Sequence, residues 1–163
     1  MNEPLVYLSG KLIPESQAGL KVYDAGIVLG ATTTEMTRTF GKELFRIEDH
    51  VDRLFRSLKY MDLDIGLSRQ DVIELSVEIT TKNAALIAED AELGLIHFVT
   101  PGEFSAYAGS AAGQQSMKPT VCMHTFPMPF QLWAEYFRTG IHVITPSTRH
   151  VPPQCVDPKM KNR

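Results

Sequence analysis

From Glu48 to Asn83 apolar residues recur every third or fourth position, whereas the segments on either side are rich in β-branched residues and punctuated by glycine and proline. A stretch patterned at 3.6 residues per turn cannot present one apolar face as a strand, so a chain that changes period in this way has to pack helices against a sheet. Val51, Leu54, Leu58 and Met61 carry the first helical face, predicted over residues 48–63. Ser68 followed by Asp71 starts a second helix with a capping box in which Asp replaces the usual Glu. Val72, Leu75 and Ile79 carry its face to about Asn83.

The β-rich parts divide at their turn residues. Leu5–Pro14 reads as a hairpin around Ser9-Gly10, and residues 32–40 form a strand that Gly41-Lys42-Glu43 turns into a second one over Leu44–Ile47. Leu93–Thr100 is an almost unbroken apolar run stopped by Pro101-Gly102, as a buried strand requires. Ser105 to Met117 is small, polar and glycine-rich and reads as a loop; Thr120–Phe126 resumes as a strand. Phe130–Thr139 is a short amphipathic helix ended by Gly140, and Ile141–Thr145 is a further strand closed by Pro146. The fold class is α+β. A small N-terminal α/β domain of hairpins and two helices, with its linker, is expected over 1–117, followed over 118–163 by the first part of a larger β-rich domain.

Several functions lose their support at this stage. With 44% hydrophobic and 21% charged residues the 163-residue chain is ordinary globular material. Its net charge of −3 is spread along the sequence, with no basic stripe for a nucleic acid to follow. Cys122 and Cys155 match no metal-ligand or redox spacing and suit a reducing compartment. No leader pattern opens the chain and no apolar run is long enough to span a bilayer, so a cytoplasmic protein without membrane contact is expected. Walker loop, Gly-x-Ser-x-Gly and His-Glu-x-x-His motifs are all missing from the sequence.

What remains are two constellations. His50, Arg53 and Ser57 follow one another at steps of three or four on a helical face beside the apolar one. Arg53 is the best phosphate-gripping residue among them, because its planar fork can make two parallel bonds to an oxyanion. Further on, Pro152, Pro153 and Pro158 stiffen a segment that delivers Lys161, with Lys159 two residues earlier pointing the same way if the segment is extended.

Taken in order, the sequence resembles the fold-type IV (class IV) pyridoxal-phosphate enzymes: branched-chain aminotransferases, D-amino-acid aminotransferases and aminodeoxychorismate lyases. The resemblance rests on the opening hairpin with its Gly10-Lys11 turn, Asp24-Ala25-Gly26 followed by Gly30, Glu35-x-x-Arg38-Thr39, His50-x-x-Arg53-Leu54, Val99-Thr100-Pro101-Gly102, and the approach to Met160-Lys161. It implies pyridoxal 5'-phosphate as cofactor and transfer of an amino group from an amino acid to a 2-oxo acid. Lys161 is then the Schiff-base lysine, preferred over Lys159 because Met160 precedes it and Asn162 follows. Arg53 becomes the phosphate ligand, and Arg38 a clamp for the substrate carboxylate, with a strand-surface ion pair as its alternative. His50 is expected to order the helix start or pack near Arg53, and His97 to be a core residue. Tyr23 and Thr100 are weaker candidates for facing the site.

Two departures bear on substrate. Leu29 stands where branched-chain enzymes commonly have a tyrosine, and the strand over residues 93–100 lacks their arginine. The family also runs on into a second half that supplies an acid for the pyridine nitrogen and backbone amides for the phosphate, so the chain alone is expected to be inactive. The family pattern implies a homodimer, with Ser105 to Met117 as a contributor to the partner's site. A lyase of the aminodeoxychorismate type, or a non-catalytic association module, are the other readings.

Overall fold

The computed structural model describes residues 3–107, 118–149 and 151–161. One six-stranded sheet organises it: β1 (Leu5–Leu8), β2 (Lys11–Pro14), β3 (Thr33–Phe40), β4 (Glu43–Leu44), β5 (Leu93–Thr100) and β6 (Thr120–Pro127), in the spatial order β2-β1-β6-β5-β3-β4. Neighbours pair antiparallel, with β5 and β6 matched from Leu93↔Pro127 to Thr100↔Thr120. The two hairpins close through Ser9-Gly10 and Gly41-Lys42, all four residues with positive φ. Such a loop twists in the same sense as the strands it joins. The Lys42 side chain is also anchored: Nζ donates to the carbonyls of Ala84 (3.1 Å), the last residue of the second long helix, and of Ala88 (2.9 Å) beyond it.

The helices are α1 (Ala25–Val28), α2 (Ile47–Tyr60), α3 (Arg69–Ala84) and α4 (Phe130–Thr139). α2 and α3 cover one face of the sheet. Val51, Leu54 and Leu58 from α2 and Val72 and Ile79 from α3 meet Tyr7, Leu95, Val99, Val121 and Met123 in a single core. Full burial of a side chain of this size contributes about 1.5–3 kcal/mol. The predicted capping box is present, with Ser68 Oγ accepting from Asp71 N and Asp71 Oδ2 from Ser68 N. Asn83 ties α3 to β1 by accepting from Leu5 N (2.8 Å) and donating to Leu5 O (2.9 Å).

Three expectations change. The second hairpin's return strand is only Glu43–Leu44, because Arg46 takes a left-handed conformation and Ile47 already begins α2. Ile141–Thr145 forms no strand and is exposed; a β-rich segment needs a neighbour for its N–H and C=O groups, and none of the described strands lies beside it. The expected division at residues 117 and 118 falls between β5 and β6, which are hydrogen-bonded along their length, and β6 also pairs with β1. Residues 120–127 therefore belong to the N-terminal sheet. Residues 108–117 of the expected linker loop lie outside the described residues.

Candidate active site around Glu35

Strand alternation sends Thr33, Glu35, Thr37 and Thr39 of β3 toward the helices and leaves Met36 exposed on the other face. Glu35 is thus a carboxylate with no exposed surface, and burial alone would push its pKa up. Its partners outweigh that cost. Arg53 reaches down from α2 as a bidentate fork, Nε to Oε2 and Nη2 to Oε1, both at 2.5 Å. His50, one turn earlier, places Nδ1 3.0 Å from Oε1, and Met36 N donates to Oε1 at 2.8 Å. Lys161 Nζ lies 3.5 Å from the same oxygen. Together these groups bring the carboxyl down to about 2, so Glu35 is a fixed anion at neutral pH, and it raises the pKa of Arg53 in turn.

The predicted helical face is therefore real, and its purpose becomes visible. His50 and Arg53 bind Glu35, and Ser57, buried on the next turn, meets the segment carrying Lys161: its hydroxyl donates to Arg53 O (3.1 Å) and accepts from Lys161 N (3.1 Å). Thr34 N donates to Lys161 O, also at 3.1 Å. Lys161 is held between β3 and α2 although it belongs to neither. Lys159 does not share this position. A turn closes at Asp157, whose carbonyl accepts from Met160 N (3.0 Å) and whose carboxylate accepts from Lys159 N (2.8 Å). The segment is consequently not extended, the two lysines diverge, and Lys159 stays exposed.

Arg38 is not part of this cluster. It sits on the opposite face of β3 with its guanidinium 4.0 Å from the ring centroid of Phe40 and 4.7 Å from that of Phe130, and its Nε donates to Thr39 O. Among the described residues it makes no ion pair, and it is not a neighbour of Lys161. Thr100 serves a turn, accepting from Gly102 N (3.1 Å), and Tyr23 stacks near Lys21. Asp24, of the Asp24-Ala25-Gly26 motif, is a buried cap that accepts from Gly26 N and from Thr120 Oγ1. His97 is a core residue that is only half satisfied: Nε2 meets Ser76 Oγ at 2.7 Å, Nδ1 has no partner among the described residues, and burial holds its pKa at about 4.

Sequence reasoning missed Glu35 as a site residue. The available signal was a lone carboxylate in the inward register of a threonine-rich strand, which cannot be buried without cationic partners.

Beside the cluster a cleft of about 480 Å³ is lined by Phe45, Arg46, Asp49, His50, Asp52, Arg53 and Arg56. Arg46 is matched by Asp49 (2.5 Å) and Arg69 reaches Asp52 (3.0 Å). Arg53 spends two of its N–H groups on Glu35 and keeps the others, with 43% of its side chain exposed. The Lys161 side chain is 37% exposed, and its amine is within about 6 Å of Arg53 Nη2 because both bind one oxygen. An amine and a cation with free donors, this close and both reachable from solvent, suit a small phosphorylated aldehyde. Glu35 is not available as an acid for a ring nitrogen, since Arg53, His50 and Met36 occupy it.

Comparison with known proteins finds aminotransferases. A putative branched-chain-amino-acid aminotransferase of Methanocaldococcus jannaschii is 29% identical over 157 residues, which cover 96% of this chain and 50% of that protein. A D-alanine aminotransferase of Staphylococcus aureus is 31% identical over 78 residues, 48% of this chain and 28% of its own length. The chain spans half or less of the length of these curated relatives. Among solved structures, a hypothetical aminotransferase from Mycobacterium tuberculosis in its PLP-bound form superposes with a TM-score of 0.62 at 21% identity, covering 80% of this chain and 42% of that one, a likeness of fold. The model of the family described as Amino-transferase class IV matches residues 32–163, the span that contains Glu35, Arg53 and Lys161, and the chain belongs to that family.

Proposed function

We propose that this chain is the N-terminal part of a pyridoxal-phosphate-dependent aminotransferase that moves an amino group from an amino acid, a branched-chain one in the first instance, to a 2-oxo acid. The observation that carries the reading is the convergence of Arg53 and Lys161 on one buried carboxylate, with both still reachable from the cleft side. Branched-chain substrates rest on the 29% identical relative that spans nearly the whole chain. The partial likeness to a D-alanine aminotransferase covers less than half of it. The working protein is a cytoplasmic homodimer in this reading; Cys122 and Cys155 are free thiols, which is compatible with a reducing compartment. The first domain extends through β6, and the next begins after Pro127.

The roles of the residues follow from their surroundings. Arg53 would hold the cofactor phosphate with the N–H groups that Glu35 leaves unused, and Lys161 would be its point of covalent attachment. When bound, pyridoxal phosphate supplies an aldehyde for the amine and a ring that accepts electrons from the substrate Cα. Glu35 stays ionised at neutral pH, so it would orient the Lys161 amine as a fixed anion. Once the amine is free, Lys161 carries a proton to and from the substrate carbon. His50 keeps the Glu35 carboxylate from rotating away from Arg53.

The test is a titration of the chain with pyridoxal phosphate followed by visible absorption. A new band that disappears in Lys161→Ala and persists in Lys159→Ala supports the reading. A band that survives Lys161→Ala, or none in the wild type, removes it. Arg38→Gln leaves the band intact if Arg38 is the packed residue described above.

A further inference from the structure

Lys161 lies in no helix or strand of its own. Residues 151–161 form neither helix nor strand, and a lysine has four rotatable side-chain bonds, so its amine reaches Glu35 only if the backbone beneath it is fixed. We propose that Ser57 and Asp157 are positioning residues that fix this backbone and thereby set where Lys161 presents its amine. The consequence for cofactor attachment rests on the aminotransferase reading; the clamp itself does not.

Ser57 has the stronger position. Its side chain is buried on the inner side of α2, its hydroxyl proton goes to Arg53 O (3.1 Å), and its oxygen is left to accept Lys161 N–H (3.1 Å). One hydroxyl therefore joins the backbone of the phosphate-side arginine to the backbone of the lysine. Thr34 N takes the Lys161 carbonyl from the other side, so both backbone groups of Lys161 are engaged, one by each element that contributes to the Glu35 cluster. Asp157 acts four residues upstream. Its carboxylate accepts Lys159 N–H (2.8 Å) and its carbonyl accepts Met160 N–H (3.0 Å), closing the turn that sends Lys159 outward and Lys161 inward. Tyr60, one turn beyond Ser57 on α2, interacts electrostatically with the Asp157 carboxylate, which raises the tyrosine's pKa.

A clamp of this kind makes two opposite demands on one amine. Held against Glu35 with 37% of its side chain exposed, Lys161 meets a general acylating reagent less often than a fully exposed lysine does and is favourably placed for an aldehyde whose phosphate is bound by Arg53. Released, it becomes easier to acylate and slower to capture that aldehyde.

The experiment uses the whole chain and the variants Ser57→Ala, Asp157→Ala and Asp157→Asn. Asparagine keeps the turn-forming side-chain oxygen, so Asp157→Asn is the conservative rescue. Acetylation of Lys161 by trace acetic anhydride is measured by peptide mapping against Lys11 in β2, and pyridoxal-phosphate attachment by borohydride trapping over time. Loss of one such hydrogen bond predicts that both alanine variants acetylate Lys161 about three- to tenfold faster and capture pyridoxal phosphate slower by a similar factor, with Asp157→Asn near wild type. An unchanged acetylation ratio in both alanine variants overturns the clamp, as does measurable capture of pyridoxal phosphate at Lys161 that is equal in wild type and variants. If acetylation rises as expected but wild-type Lys161 never captures pyridoxal phosphate, the clamp stands and the aminotransferase reading fails.

Discussion

Replacing Glu35 with glutamine changes one atom and removes the charge on which the candidate site converges. One of the two oxygens becomes an NH₂ group that faces the donors of Arg53 or His50, so at least one bond is lost and one donor pair is set against another. The size of the effect follows from the carboxyl pKa, held at about 2 against an ordinary 4.5. At about 1.4 kcal/mol per pH unit, that gap corresponds to roughly 3 kcal/mol of stability at neutral pH. Removing one member of a buried ion pair costs about 3–5 kcal/mol, and access of Arg53 to water places this case at the lower end. Because the folded pKa is depressed, the contribution is complete above pH 4.5 and is lost as pH falls toward 2. Urea denaturation, which adds no salt to screen the pair, should show Glu35→Gln less stable by about 3 kcal/mol at pH 7 and by about 1 kcal/mol at pH 3. A deficit that is the same at both pH values, or below about 1 kcal/mol at pH 7, refutes the reasoning.

Two further predictions concern the scaffold. His97 is buried with its pKa at about 4 against 6.5, so the unfolded chain binds a proton that the folded chain refuses as pH drops through that window. Stability should fall from pH 6.5 toward 4 by up to about 3 kcal/mol on this account, and His97→Leu should flatten the profile there, as followed by urea midpoints across pH. Gly102 has a φ of +94°, and a Cβ there would lie 1.8 Å from Lys118 O. Gly102→Ala therefore has to move backbone and should cost more than about 3 kcal/mol, measurable by the same denaturation; a loss under 1 kcal/mol would contradict the close approach.

Most of the scaffold was legible in the sequence because local rules agreed with the tertiary outcome. The spacing of Val51, Leu54 and Leu58, the Ser68–Asp71 box, the apolar run from Leu93 to Thr100 and the Gly140 stop each found the element they implied. The misreadings arose where a segment depends on something distant. Ile141–Thr145 has strand composition and no adjacent strand, and β6 reads as a new beginning because strand order within a sheet leaves no local trace. The four-residue helix α1 was missed because an Asp24 cap and a glycine are too little pattern to mark one turn.

The site divided in the same way. His50, Arg53 and Ser57 announce themselves by helical spacing, and Lys161 by the family pattern. Arg38 is expected as a carboxylate clamp with a surface ion pair as its alternative, and β3 alternation sets it against Phe40 and Phe130. Glu35, the residue that joins the others, was visible only as an odd charge in a buried register. Lys159 and Lys161 could not be separated without the turn at Asp157.

Borohydride reduction of the chain with pyridoxal phosphate, followed by peptide mapping, tests whether Arg53 and Lys161 together hold the cofactor. One modified residue, Lys161, is expected, with the yield falling about tenfold or more in Arg53→Gln as the phosphate loses its cation. Modification centred on Lys159, spread over the surface lysines, or indifferent to Arg53→Gln would contradict it.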